Sequence, residues 1–185
     1  MKALDNILTR TSSSILRAPF PSDEEMGLVY KAALRAPDHK WLRPSRFIQI
    51  TGEGLDKLSD IFFDYGKNHV KDISKEKLKK YKSIPYRAPM IIVLVSSITK
   101  HPSVPDHEQM FTTAAAAQNI LLALHALNYS GIWRTGIFAM NQTIEKSLGL
   151  DNNQRILGYL YVGTPDGKIK KVPSLDIKNF VTKIE

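Results

Sequence analysis

Three short stretches carry side chains suited to holding a ligand: Arg10-Thr11-Ser12, Arg35-Ala36-Pro37-Asp38-His39-Lys40 and Trp133-Arg134-Thr135-Gly136. Each sets a cation at the end of an apolar segment, and the first and third add hydroxyls. A guanidinium is a rigid fork of donors that meets a phosphate two bonds at a time. Thr11, Ser12 and Thr135 add hydroxyl donors beside Arg10 and Arg134. Arg35 can pair with a ring carbonyl or polyol oxygen, and His39 can stack or donate a hydrogen bond. Trp133 offers an apolar face with one donor, and Gly136 lets a ligand approach the backbone. These groups together suit a phosphate joined to a heterocycle, the chemistry of a flavin site. Each stretch alone has a plainer reading: charges at helix ends for Arg10 and Arg35, a solvated loop for His39, a core tryptophan beside a surface arginine for Trp133 and Arg134.

The elements that must position these stretches follow from periodicity and turn chemistry. Leu4, Ile7 and Leu8 lie at helical spacing, so a short helix over Ala3 to Leu8 leads to Arg10. The hydroxyl run Thr11–Ser14 stops it. Ser22 with Glu25 makes a capping box. Met26, Val29, Tyr30, Ala33 and Leu34 form one apolar stripe on a helix expected to end at Ala36, before Pro37. Asp38 to Ser45 is a loop, Arg46 to Thr51 alternates as a strand, and Gly52-Glu53-Gly54 turns the chain into a helix around Leu55, Leu58, Ile61 and Phe62. Met90 to Ser96 is short, apolar and β-branched, which marks a strand buried on both faces. A helix from Asp106 or His107 to about Asn128 is apolar almost all round and therefore needs cover on every side, from the core or a second subunit. Asn128-Tyr129-Ser130-Gly131 terminates it. Asn141 opens a short helix ending at Gly149, Gln154 to Val162 alternates as a strand, and Gly163 to Gly167 is a turn. The basic tail ends with apolar Phe180 and Val181, so it is expected to dock on another surface. Helices and strands mix without strict βαβ alternation, which indicates an α+β fold in a single domain, residues 1–185.

Composition narrows the partners. The 26 Lys and Arg against 18 Asp and Glu leave a net charge of +8, which concentrates anions such as phosphorylated small molecules. Much of it sits between Lys67 and Lys82. A nucleic-acid surface would carry arginine and interleaved aromatics, and only Tyr81 and Tyr86 stand near, so a solvated helix face or lid is the expectation and no nucleic-acid partner. Cysteine is absent, which removes disulfides and thiolate metal sites and fits a reducing cytoplasm. The start Met-Lys-Ala-Leu-Asp-Asn-Ile-Leu is too polar for a signal segment, and no apolar run reaches the roughly 20 residues of a membrane span. The expectation is a cytoplasmic protein with no membrane partner. No Gly-x-Gly-x-x-Gly, phosphate-binding loop or Gly-x-Ser-x-Gly is present. His101, Asp106, His107 and Glu108 straddle two prolines, so no metal is expected there.

Read jointly, the three stretches and Gly158-Tyr159-Leu160-Tyr161-Val162-Gly163-Thr164-Pro165 resemble the nitroreductase family of FMN-dependent oxidoreductases, in its small YdjA-like branch, nearly end to end. The resemblance implies an intertwined homodimer with a central antiparallel or mixed sheet flanked by helices and one FMN per subunit at the interface. It implies that Arg10, Thr11 and Ser12 hold the phosphate and ribityl side with Trp133, Arg134 and Thr135, while Arg35 and His39 reach over from the other subunit. It further implies electron transfer from NAD(P)H through the flavin to a nitroaromatic, quinone or similar small acceptor. The flavin carries the chemistry, so no side chain is nominated as catalytic. A flavin store or sensor without turnover would keep the same site. Departures from the wider family's usual pattern fall at Ser14, Asp38, Trp41 and Arg43-Pro44-Ser45.

Overall fold

The computed structural model describes residues 2–168 and 170–185. Its sheet is built on two strands, β3 (Met90–Ser97) and β5 (Gln154–Pro165). Side chains alternate across a strand, and both sets of β3 are apolar. Ile91, Val93 and Val95 enter one core, while Met90, Ile92 and Leu94 enter the other. Every residue from Met90 to Ser96 is buried, as expected for a strand covered on both faces.

β2 (Ser45–Thr51) pairs with the far side of β3. The free side of β5 is shared by β4 (Ser130–Arg134) and the two-residue β1 (Leu16–Arg17). All these pairings are antiparallel, so the sheet is antiparallel rather than mixed. α3 (Glu53–His69), α4 (Lys75–Ser83) and α6 (Gln142–Ser147) cover one face. α2 (Asp23–Ala33) and α5 (Asp106–Ala126) cover the other, and α1 (Ala3–Thr9) lies against α5.

Several boundaries differ from the sequence reading. The capping box at Ser22 forms as expected, but α2 stops at Ala33. Arg35 and Ala36 then donate to carbonyls three residues back, at 3.1 Å each. This tighter closing turn comes just before Pro37, whose ring disfavours helix in the residue ahead of it. Gly52 caps α3 directly, with φ of 51°. The turn expected at Gly163 begins only at Asp166, because Leu16 and Arg17 pair with Pro165 and Thr164 and extend β5. The lysine-rich stretch contributes α4, which buries Tyr81 and turns its lysines to solvent. α5 buries Thr113, Ala116, Ala117, Ile120 and Leu124 but leaves Phe111 64% exposed on its outer side. Within one chain the helix is therefore covered on one face, not all round. The tail from Lys170 to Glu185 is exposed throughout.

Candidate functional site

The site is assembled along β4, the strand that edges the sheet beside β5. Gly131 and Trp133 face the α5 side. A Cβ on Gly131 would lie 2.9 Å from Leu121 Cδ2, so glycine lets β4 settle onto the helix. Trp133 packs against the same core, and its indole N–H donates to the Leu157 carbonyl at 3.2 Å. That carbonyl is presented by a bulge: Val95 pairs with Ile156 and Leu94 with Gly158, so Leu157 is the extra residue. Gly158 has φ of 144° and its missing Cβ leaves the space occupied by Trp133 Nε1. Bulge and glycine together fix the indole.

With Trp133 fixed on one face, period-two alternation sends Ser130, Ile132 and Arg134 to the other. Arg134 is half-buried, and its Nε is buried with no hydrogen-bond partner among the described residues. Its guanidinium carbon lies 5.7 Å from the centre of the Tyr161 ring. A cavity of about 500 Å³ opens there, lined by Trp133, Arg134, Thr135, Arg87, Tyr159 and Tyr161 among others. Its floor is aromatic: Phe62 and Phe138 stack at 3.9 Å between ring centres. The Tyr159 hydroxyl donates to the Phe138 carbonyl at 2.9 Å. Burial raises the Tyr159 phenol well above its ordinary value. It pushes Tyr161 up to about 12, with Arg87 and Arg134 pulling the other way.

Ser130, four residues back along β4, lines a second cavity of about 260 Å³. Strand rise separates Ser130 from Arg134 by roughly 13 Å. Thr11, Ser12, Ser13 and Ser14 line this second cavity together with Lys168 and Lys170. Arg10 caps the C-terminus of α1 and donates to Ser12 Oγ at 3.4 Å. One end of β4 thus offers hydroxyls and cations, and the other offers aromatic rings, an indole and an unpaired guanidinium.

The structure brings together Thr11, Ser12 and Arg10 at one end and Trp133, Arg134 and Thr135 at the other. Arg35 and His39 line neither cavity. Arg35 is exposed beyond α2 beside Asn6 and Asn119. His39 Nδ1 lies 2.7 Å from Glu108 Oε2 at the start of α5. Their loop is held in an uncommon shape, with positive φ at Lys40, Trp41 and Arg43. The Asp38 carboxylate steadies it by accepting the Arg43 N–H at 2.9 Å. Sequence reasoning missed Arg87, Lys168 and Lys170. The lysines had a signal, being basic residues just past the last strand. Arg87 had none, since it closes the short 3₁₀ turn Pro85–Arg87 ahead of β3 with nothing beside it in sequence to mark a ligand.

Among the described residues no cluster of His, Cys, Asp or Glu could hold a metal, and no helix is long and apolar enough to cross a membrane.

Comparison with known proteins places this geometry in context. Residues 7–164 match the model of the Nitroreductase family. The chain is 32% identical over 185 residues to "Putative NAD(P)H nitroreductase YdjA" of Escherichia coli (strain K12), covering 98% of this chain and 99% of that protein. Among solved structures, a nitroreductase-like family protein from Bacillus cereus superposes with a TM-score of 0.85 at 22% identity, covering 100% of this chain and 97% of its own. A point mutant of NfnB from Sphigopyxis sp. strain HMH, described as an FMN and NADPH-dependent nitroreductase, gives a TM-score of 0.79 at 16% identity, with 99% of each chain covered.

Proposed function

The chain belongs to the nitroreductase family of oxidoreductases, and from that premise we propose that it binds FMN along β4 and passes electrons from NAD(P)H to a small nitroaromatic, quinone or similar acceptor. The observation that carries the reading is the Arg134 guanidinium, whose Nε is buried and unpaired in an aromatic-lined cavity. A buried donor without a partner costs about 1–3 kcal/mol, so this position favours a ligand with an acceptor and a planar ring. The hydroxyl- and lysine-lined cavity at the other end of the strand suits a phosphate. A flavin nucleotide has both parts. The relatives' names, NAD(P)H nitroreductase and FMN and NADPH-dependent nitroreductase, point the same way.

In this reading Arg10, Thr11 and Ser12, with Lys168 and Lys170, bind the phosphate through charge-assisted hydrogen bonds. Trp133 forms an apolar wall that excludes water, and Arg134 and Thr135 orient the ring by donating to its polar edge. Bound FMN supplies the hydride chemistry at its N5 atom, and the protein supplies position and electrostatics.

The partner is a second copy of the chain. Leu4, Ile7 and Leu8 of α1, Phe111 of α5 and the tail from Val172 to Ile184 leave large apolar side chains exposed, which is the kind of surface that marks an interface. Arg35 and His39 stand beside that surface and away from their own chain's cavities, where a second copy can receive them. An absorbance spectrum of the purified protein, before and after addition of FMN, tests the reading. Flavin bands bleached by NAD(P)H without oxygen, and restored by menadione or a nitrofuran, are expected. Failure to retain added FMN would overturn it.

A further inference from the structure

The cavity beside Trp133 holds a second arginine that the site residues above do not include. Arg87 lies between α4 and β3, is half-buried, and lines the cavity with Arg134. Both guanidinium charges act on the Tyr161 phenol, so the ring stands in the field of two cations. Neither arginine joins any ion pair among the described residues. Among the described residues no carboxylate lines the cavity, and Lys77 adds a third positive charge to its lining. Two like charges sharing one partly desolvated space repel each other, and the low local dielectric strengthens the effect. Such a space favours an anion or a group that can take on negative charge.

Resting on the flavin reading, we propose that Arg87 tunes the bound ring, favouring its reduced, negatively charged form over its oxidised, neutral one. The balance is simple. A hydride from NAD(P)H brings two electrons and one proton to the neutral oxidised ring, NAD(P)⁺ leaves, and the ring gains one negative charge. A fixed cation facing that ring stabilises the product of this step more than its starting point, since it interacts with charge that only reduction creates. The charge later leaves with the hydride passed to the acceptor, which takes its further proton from water. Arg87 is suited to this role because it reaches the cavity from the α4–β3 connection, whereas Arg134 and Thr135 reach it from β4 and the residue that follows.

The test is the midpoint potential of bound FMN in the holoprotein, measured by dye equilibration for the wild type, Arg87→Gln and Arg87→Lys. Arg87→Gln should lose about tenfold of the preference for reduced over oxidised FMN, a fall of about 30 mV for this two-electron couple. Arg87→Lys should recover most of it. A merely structural role would weaken both redox states alike and leave the potential unmoved. FMN that binds Arg87→Gln with an unchanged potential overturns the inference while the flavin reading stands. A variant that binds FMN poorly but riboflavin normally would make Arg87 a phosphate ligand and also overturn it. Wild-type protein that retains no FMN overturns the flavin reading itself, and this inference with it.

Discussion

Replacing Gly158 with alanine should release Trp133 and empty the site. Gly158 has φ of 144°, a region that only glycine occupies freely, so the backbone strain costs about 1–3 kcal/mol. The new Cβ would sit 2.7 Å from the Arg134 carbonyl and 2.8 Å from Trp133 Cδ1, besides its overlap with the indole nitrogen. The indole must therefore move and give up its bond to the Leu157 carbonyl, a further 0.5–1.5 kcal/mol or about that. The sum is roughly 1.5–4.5 kcal/mol, or roughly 3–18 °C of melting temperature for a chain of this size. Gly149→Ala is the control. Its φ is 74° and nothing lies within 4 Å of its Cβ, so it carries strain without collision and lies away from β4. Thermal unfolding by circular dichroism reads the stability, and the flavin absorbance left after gel filtration reads the site. Gly158→Ala should be the less stable of the two and should alone lose FMN. Equal melting temperatures with full FMN retention in both would refute the claim that bulge and glycine position Trp133 and Arg134.

Arg134→Ala should raise the dissociation constant of FMN by roughly 10–150-fold, the equivalent of about 1.5–3 kcal/mol for a charge-assisted bond, as read by flavin fluorescence titration. Phe111→Glu should convert a dimer to the 20.9 kDa chain in light scattering and weaken FMN binding together with it, since Arg35 and His39 would lose their receiving site. Stability should fall at high pH because burial pushes the Tyr161 phenol up to about 12 in the folded state from an ordinary value of 10. Its raised value contributes roughly 2–3 kcal/mol in full below pH 10, and that contribution is lost as pH rises from 10 to 12. Urea midpoints between pH 9 and 11.5 should drop, and less steeply in Tyr161→Phe.

Much of this was readable in the sequence, and the reasons are local. β3 announces itself because seven apolar or small residues in a row can only be a strand covered on both faces. α2 announces its start because Ser22 and Glu25 satisfy each other's backbone donors before any tertiary contact forms. Trp133-Arg134-Thr135 stood out because aromatic, cation and hydroxyl fall together. The remainder depends on partners distant in sequence. β5 runs past Gly163 only because Leu16 and Arg17, nearly 150 residues earlier in the chain, pair with it. The bulge at Leu157 has no sequence mark of its own, since Leu-Gly-Tyr reads as plain strand until β3 and Trp133 are set beside it. Arg87 looks like an ordinary loop residue until the α4–β3 connection carries it to Tyr161.

Why the candidate site follows β4 and not the doubly paired β3 is a question of hydrogen-bond supply. β3 is paired on both sides, by β2 and β5, and spends most of its backbone donors and acceptors within the sheet. Among the described residues β4 pairs only with β5, so one of its edges keeps N–H and C=O groups free of the sheet. A bare edge invites unwanted pairing with other chains unless something covers it. Here β4 residues line both flanking cavities, Ser130 among cations and hydroxyls and Trp133 and Arg134 among rings. A ligand with a polar ring edge and an anionic tail would cover that edge and satisfy the groups at both ends at once. Neither a bare phosphate nor a lone aromatic would do this, so the separation between the two cavities itself selects for a ligand that spans them.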